Sequence, residues 1–393
     1  MIFSYNVPYG FTMKELLKSR SELVITVIGI GGCGCNTINM LHENDLSKRV
    51  NLIAVNTDIA VLNHCNVESK ILIGQNLTNG YGAGADPSVG LKAAEESEDV
   101  LRAAIQDSDI VIITAGFGGG TGTGASPLVA KIARELEISC LAVVTLPFES
   151  ESKMRMDYAL EGIQLIKDPA QAYITLSNDL LLKGLGESVG LFSAFKQSNK
   201  VLKNLLSALT HMLTQTGEIN VDINDFSRIL SFEGESVLGV GKAETEEQAF
   251  EALDQALNNP LVSVENIDTA KGIIIHICCR DEIKLSTYDG IVNNIRAKLK
   301  HNSALIVAGV ILDPELENDL EILLIASGIS HHESTNNPQV KKIKVPLDSY
   351  IGNDLSFITE PESLEELNNE ESYTDIPAIV RKLHEINNKE TSI

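Results

Sequence analysis

Tryptophan is absent from this chain of 393 residues, and aromatic residues make up only 5% of it. The hydrophobic share of 44% therefore comes mainly from aliphatic side chains. A core of Ile, Leu, Val and Ala is typical of α/β proteins with buried parallel strands. Because a single core stops growing at about 250–300 residues, the length predicts two domains and an appendage.

Positive charge is also scarce, with 31 Lys and Arg against 54 Asp and Glu and a formal net charge of −23. Binding to nucleic acid or to an anionic membrane requires a basic surface, so neither is expected. No uncharged run of about 20 apolar residues occurs, and no direct membrane insertion is predicted. The charged segment Phe11–Arg20 is not followed by the apolar stretch of a signal peptide, so we expect a cytoplasmic protein.

The spacing of the six cysteines indicates neither a zinc site nor a set of disulfide bonds. No spacing among them matches a zinc motif, and a chain of this length needs no disulfide staple. The six are Cys33, Cys35, Cys65, Cys140, Cys278 and Cys279. Cys33 and Cys35 fall close to a predicted helix N-terminus, where the helix dipole is expected to lower a thiol pKa.

Apolar runs alternate with helical patterns from Ile25 onward, which predicts a parallel sheet covered by helices on both faces. The predicted strands are Ile25–Ile28, Leu52–Val55, Ile71–Ile73, Ile110–Thr114, Leu141–Thr145 and Ala172–Leu176. The predicted helices are one from about Asn36, and Val89–Ile105, Ser126–Leu136 and Met154–Ile166.

A long helical pattern without Gly or Pro, Leu191–Leu213, predicts a helix that connects two domains. The second domain is predicted to contain helices Ala249–Leu257 and Thr287–Leu299 and strands Gly272–Ile277, Leu305–Ile311 and Glu321–Ile325. The predicted organisation is an N-terminal extension (1–20), a first domain (21–190), the connecting helix (191–216), a second domain (217–330), a disordered linker (331–374) and a C-terminal peptide (375–393).

Two glycine-rich segments, Gly29–Asn36 and Thr114–Gly124, each follow a predicted strand and lead into a predicted helix. Glycine allows close backbone approach, so that amide groups at a helix N-terminus can face phosphate oxygens. The first segment alone fits a mononucleotide site, a dinucleotide site or a tight turn. The second favours a mononucleotide, because a dinucleotide fold uses one such loop with an acidic residue after its second strand, where Val55–Asp58 is a poor match.

From Ile25 to Gly328 the sequence resembles the tubulin/FtsZ family of GTPases, and especially its bacterial cell-division members. The resemblance is carried by Gly118–Gly124 and, in order along the chain, by Ala54–Asp58, Leu77–Gly84, Pro147–Phe148, Asn178–Asp179, Asn220–Asp225, Leu238–Gly241 and Asp313–Leu316. It implies a tubulin-like fold with a parallel-sheet GTP-binding domain, a long central helix and a smaller α/β domain. It also implies a GTPase that binds GTP or GDP with Mg²⁺, and that polymerises head to tail at the division site.

The resemblance also implies a set of nucleotide-binding residues. The phosphates are expected at Gly31, Gly32, Cys33, Gly34, Cys35 and Asn36, and at Gly118, Gly119, Gly120, Thr121, Gly122, Thr123 and Gly124. Glu151 matches the residue that holds the ribose, and Arg155 the one beside the γ-phosphate; a surface ion pair is the alternative for both. Asn178 and Asn199 match the pair that reads the guanine edge, with Phe195 stacked on the ring.

Asn220, Asp222 and Asp225 match the catalytic loop that, by resemblance, enters the nucleotide pocket of the next subunit. Helix capping is the alternative role for the two aspartates. Asp375–Lys382 resembles the family's peptide for membrane-anchoring and regulatory division proteins. The sequence departs from the usual family pattern at Cys33, Cys35, Ser152, Met154, Leu205, Ala208, Cys278, Cys279 and Arg280. A weakly polymerising GTP-binding regulator and a dinucleotide oxidoreductase are the alternative functions.

Overall fold

The computed structural model describes residues 23–43, 50–180, 190–215, 217, 219–232, 234–258, 267–300 and 304–329. The predicted N-terminal extension, linker and C-terminal peptide lie outside these residues.

The first domain is built on a six-stranded, all-parallel sheet with the order β3-β2-β1-β4-β5-β6. The strands are β1 (Ile25–Ile30), β2 (Asn51–Asn56), β3 (Ser69–Leu72), β4 (Ile110–Gly116), β5 (Ser139–Leu146) and β6 (Ala172–Ser177). The helices are α1 (Gly31–Glu43), α2 (Ile59–His64), α3 (Gln75–Thr78), α4 (Pro87–Glu96), α5 (Glu98–Ile105), α6 (Thr121–Glu135) and α7 (Lys153–Lys167). The predicted fold class is confirmed.

Both helices that follow the glycine-rich segments begin earlier than predicted. Helix α1 starts at Gly31 rather than Asn36, and α6 starts at Thr121 rather than Ser126. Much of each glycine-rich segment is therefore the first turn of a helix. Glycine is a poor helix former, and packing overrides that propensity here: a Cβ on Gly34 would lie 2.5 Å from the carbonyl oxygen of Thr114.

The long helix α8 (Leu191–Thr214) connects the domains as predicted. It buries Leu205 and Ala208, two departures from the family pattern. None of the helices in the described ranges is long and apolar enough to cross a membrane.

The second domain contains a four-stranded sheet with the order β7-β10-β8-β9. Its strands are β7 (Glu235–Ala243), β8 (Gly272–Cys279), β9 (Leu305–Leu312) and β10 (Leu320–Ile329), and its helices are α9 (Ile223–Leu230), α10 (Ala249–Leu257) and α11 (Leu285–Lys298). Strands β8 and β9 are parallel, and β10 runs antiparallel to both β7 and β8.

Strand β7 was not predicted, because glycine is disfavoured inside strands. Its two glycines have a packing role: a Cβ on Gly239 or on Gly241 would lie 1.8 Å from a carbonyl oxygen of α10. Glycine at these positions lets α10 lie directly on the strand.

The two domains share one core. A continuous cluster of buried residues runs from Ile112 in the first sheet, through Leu202 in α8, to Ile275 in the second sheet. The hydroxyl groups of Ser139 and Ser227 add a direct hydrogen bond of 2.6 Å between the domains. This core holds α8, and the residues it carries, against α1 of the first domain and β7 of the second.

Candidate nucleotide site

The two glycine-rich segments follow β1 and β4, which are neighbours in the sheet. The chain order reverses between these two strands, since β1 leads to β2 on one side and β4 leads to β5 on the other. In open parallel sheets, ligands bind at the carboxyl ends of the strands where the order reverses. The topology therefore brings both segments together at the position where a ligand site is expected.

A cavity of about 410 Å³ opens at this position. Thirteen of the eighteen predicted nucleotide-binding residues line it. They are Gly31, Gly32, Cys33, Asn36, Gly119, Gly120, Thr121, Gly122, Glu151, Arg155, Asn178, Phe195 and Asn199.

The other five predicted residues, Gly34, Cys35, Gly118, Thr123 and Gly124, do not line the cavity and have roles in packing. Gly118 has a positive φ of 94°, and its amide donates a hydrogen bond of 2.8 Å to the Thr123 hydroxyl. A Cβ on Gly124 would lie 2.1 Å from the carbonyl oxygen of Pro87 in α4.

Gly119 differs from these glycines. A Cβ placed there would meet only the Nη2 atom of Arg155, at 4.0 Å. The protein itself therefore does not require glycine at this position. The absence of a side chain leaves room in the cavity beside the N-terminus of α6.

Residues that carried no predicted role also line the cavity. One group lies at the carboxyl end of β2 and includes Asn56 and Asp58, and another is the turn Gly82–Ala85. This turn covers the second glycine-rich segment, because a Cβ on Gly120 would lie 2.8 Å from that of Ala83. In the sequence, the glycines of the Leu77–Gly84 motif were the feature from which a role for this turn in the cavity could have been predicted.

Helix α8 brings Phe195 and Asn199 to the wall of the cavity, which Asn178, directly after β6, also lines. The Asn178 Oδ1 atom accepts a hydrogen bond of 2.5 Å from the buried Ser198 hydroxyl. The ring of Phe195 packs edge to face on that of Phe148, with centroids 5.1 Å apart. One wall is therefore aromatic and carries two amide side chains, a combination suited to a planar base.

Glu151 and Arg155 lie one turn apart and form an ion pair. Their side chains are only 16% and 23% exposed, so the pair belongs to the cavity wall rather than to the open surface. The Arg155 Nε atom also donates a hydrogen bond of 3.2 Å to the carbonyl oxygen of Gly118. This contact holds the guanidinium group against the second glycine-rich segment.

The expected lowering of the thiol pKa at the start of α1 is wrong. The pKa of the Cys33 thiol is raised, mainly by burial. The thiol also contacts the Thr145 hydroxyl, with the sulfur and oxygen atoms 3.6 Å apart. The pKa of Cys35 is raised well above its usual value, by its contact with the Cys65 thiol and by burial. Loss of water around the Cys33 thiol, and the Cys65 contact together with burial at Cys35, outweigh the favourable field of the helix.

Asn36 provides an observation that points to a ligand. Its side chain is 6% exposed and lines the cavity, and its Nδ2 atom is buried without a hydrogen-bond partner. A buried donor is costly unless it is satisfied. A ligand with acceptor oxygens in the cavity, such as a phosphate group, fits this donor and the helix N-termini of α1 and α6.

The predicted catalytic residues lie away from the cavity of their own subunit. Asn220, Asp222 and Asp225 are not among its lining residues, and Asp222 is exposed. Asp222 caps α9, since its Oδ1 atom accepts a hydrogen bond of 2.8 Å from the Asp225 amide. Asn220 likewise accepts a hydrogen bond of 2.6 Å from the Gly217 amide. The capping role therefore holds for Asp222 and leaves its second carboxylate oxygen available.

Comparisons with known proteins agree with this geometry. The family model "Tubulin/FtsZ family, GTPase domain" matches residues 24–186, and "FtsZ family, C-terminal domain" matches residues 234–330. Cell division protein FtsZ of Buchnera aphidicola subsp. Baizongia pistaciae is 35% identical over 95% of this chain and 100% of its own length. Cell division protein FtsZ 1 of Methanocaldococcus jannaschii is 38% identical over 85% of this chain and 91% of its own. A solved structure described as an empty FtsZ dimer from M. jannaschii is 37% identical, with a TM-score of 0.74, over 83% of this chain and 98% of that chain.

Proposed function

The chain belongs to the tubulin/FtsZ family of GTPases, and we propose that it binds GTP in the cavity described above and hydrolyses it within a head-to-tail filament. The observation that carries the proposal is the convergence of two glycine-rich helix N-termini on one cavity of about 410 Å³. Amide groups at such termini bind phosphate through hydrogen bonds and the helix dipole.

In this proposal the triphosphate lies between the N-termini of α1 and α6. The open space at Gly119 admits the phosphate oxygens, and the Asn36 amide satisfies its unpaired donor on them. Arg155 lies beside the γ-phosphate, where its planar guanidinium group suits phosphate oxygens. Glu151, its present partner, accepts hydrogen bonds from the ribose.

The guanine base occupies the aromatic end of the cavity. Phe195, held by its contact with Phe148, stacks on the ring. Asn178 and Asn199 read the edge of the base, since an amide side chain both donates and accepts hydrogen bonds. Both amide side chains are neutral, so these hydrogen bonds lack the charge assistance that a carboxylate would give.

The hydrolytic groups are proposed to come from the neighbouring subunit. Phosphoryl transfer to water depends on positioning and on charge stabilisation rather than on covalent chemistry. The carboxylates of Asp222 and Asp225, together with the Asn220 side chain, orient the attacking water in the pocket of the next subunit. Mg²⁺, which prefers oxygen ligands, neutralises phosphate charge when it is bound.

The filament is proposed to assemble at the division site on the inner face of the cell membrane. The peptide Asp375–Lys382 supplies the attachment, by docking on membrane-anchoring and regulatory division proteins. An apolar segment that follows a long polar one is suited to binding by folding on a partner.

The decisive experiment measures GTP turnover per subunit across a range of protein concentrations. A site shared between subunits predicts negligible turnover in dilute protein and a steep rise above a threshold, where filaments form. Turnover per subunit that does not vary with concentration would contradict the shared site. GTP binding without turnover at any concentration would instead identify a GTP-binding regulator.

A further inference from the structure

A second cluster of reactive side chains lies outside the nucleotide cavity, at the contact between α8 and the second sheet. It consists of His211 in the last turn of α8, Cys278 in β8 and Asp313 directly after β9. The nitrogen, sulfur and oxygen ligand atoms of these three residues all lie within 4.8 Å of one another. We propose that they form a binding site for a thiophilic divalent cation of the Zn²⁺ class.

The distances are close to those of a metal site. The His211 Nε2 atom lies 3.2 Å from the Asp313 Oδ2 atom. In tetrahedral zinc sites, with metal–ligand bonds of about 2.0–2.3 Å, neighbouring ligand atoms are separated by about 3.3–3.7 Å. To bind one cation, the largest of the three distances between the ligand atoms would have to shorten by roughly 1 Å. A side-chain rotation can supply this change.

A fourth side chain supports the assignment. His276 lies two residues before Cys278 in β8, so the two side chains point to the same face of the sheet. It is 3% exposed, and its Nε2 atom is buried without a hydrogen-bond partner. The ion pair between His211 and Asp313 does not explain why a thiol and a second imidazole share this face. His276 lies outside the group whose ligand atoms are within 4.8 Å of one another, so its side chain would have to rotate toward that group to become the fourth ligand.

The chemistry of the donors selects the metal. A thiolate with imidazole nitrogens suits Zn²⁺ and Co²⁺, whereas Mg²⁺ prefers oxygen ligands in an octahedral arrangement. Binding releases the thiol proton of Cys278 to solvent, and the resulting thiolate and the Asp313 carboxylate together neutralise the two charges of the cation. His211 and Asp313 are 18% and 22% exposed, which gives the ion a route from solvent.

The position of the cluster gives the site a mechanical consequence. The chain leaves α8 only three residues after His211 and then lies along β9, where Ile219 and Val310 exchange backbone hydrogen bonds of 3.4 and 2.8 Å. The loop that carries Asp222 starts from this point. A bound cation would tie the end of α8 to the second sheet at the base of that loop.

The site is tested with purified full-length protein and Co²⁺, which reports thiolate coordination by a charge-transfer absorption band. We expect one equivalent of Co²⁺ to give this band and Zn²⁺ to displace it, while excess Mg²⁺ leaves it unchanged. Zn²⁺ should also raise the midpoint of thermal unfolding, because a ligand that binds only the folded state stabilises it.

The matched variants are Cys278→Ser and Cys279→Ser, which change neighbouring buried cysteines of the same strand. Cys278→Ser should abolish the band, and Cys279→Ser, whose side chain lies on the opposite face of the sheet, should retain it. His211→Gln and Asp313→Asn change half-buried groups and should weaken Co²⁺ binding by about tenfold or more. Circular dichroism verifies that each variant is folded. Absence of the band, its persistence in Cys278→Ser, or equal loss in Cys279→Ser would overturn the proposal.

Discussion

The nucleotide cavity and the loop from Gly217 to Asp225 differ in how completely one subunit forms them. The cavity is assembled within the chain, with lining residues that follow β1, β2, β4, β5 and β6 and others on α8. The loop instead presents an exposed carboxylate, Asp222, which does not line that cavity. The proposed binding of GTP thus needs only the folded monomer, whereas the proposed hydrolysis requires a second subunit.

The strongest test of this difference is the substitution Asp222→Asn. Asparagine caps a helix about as well as aspartate, so the fold should be preserved. If the carboxylate orients water for the neighbouring subunit, GTP hydrolysis should fall by orders of magnitude while GTP binding is unchanged. Turnover and nucleotide affinity are measured on the same preparation.

The control is Asp222→Ala, which removes the cap as well as the charge and should cost about 1 kcal/mol of stability. If capping were the only role of Asp222, the Asn variant would hydrolyse GTP normally and the Ala variant would lose activity only as it unfolds. Mixing the Asn variant into unmutated protein should also lower turnover more than dilution does, since each variant subunit disables one neighbouring site.

The second prediction compares two glycines of the same segment. Gly119→Ala should fold normally, because its Cβ meets no backbone atom, and should weaken GTP binding by about tenfold or more. Gly124→Ala should instead destabilise the fold by about 1–3 kcal/mol, since its Cβ would lie 2.1 Å from the Pro87 carbonyl oxygen. Thermal unfolding and nucleotide affinity separate the two effects. Loss of stability without loss of affinity in Gly119→Ala would contradict a phosphate at this position.

This contrast also shows what could be predicted from the sequence. The sequence correctly placed both glycine-rich segments between a strand and a helix, but it did not separate glycines that face the cavity from those that pack helices. Gly34 and Gly124 are required by neighbouring backbones, which only the folded structure brings near. The alternation of strands and helices was readable because buried parallel strands are continuous apolar runs. Strand β7 could not be predicted in this way. Its residues Gly239 and Gly241 are there because α10 packs closely on the strand, and not because glycine favours strand structure.

The pKa of Cys33 was missed for the same reason. The position at a helix N-terminus is visible in the sequence, whereas the burial that raises the pKa is not. At Cys33 the removal of water from the thiolate outweighs the local field of the helix.

The third prediction uses this thiol as a reporter of the cavity. Because its pKa is raised, Cys33 should be less reactive toward an alkylating reagent at neutral pH than an ordinary thiol, and its rate should rise as the pH is increased. Bound GTP should slow the labelling several-fold, since Cys33 lines the cavity. Peptide mass analysis identifies the labelled cysteine. In Cys33→Ser, the labelling that remains should be insensitive to GTP, and equal rates with and without GTP in the unmutated protein would argue against the assigned pocket.

The smallest effect on hydrolysis is expected from deletion of Asp375–Ile393, a segment that belongs to neither region compared above. The proposed function gives this segment no part in binding or hydrolysing GTP, so GTP turnover should remain close to that of the full chain. Recruitment to vesicles that carry a membrane-anchoring division protein should nevertheless be lost, because the apolar peptide is the proposed contact. The point variant Ile379→Asp should reproduce this loss without shortening the chain, since a carboxylate opposes burial in an apolar contact. A large loss of turnover in either variant would contradict this prediction. It would mean that the peptide is needed for GTP hydrolysis and not only for attachment to the membrane.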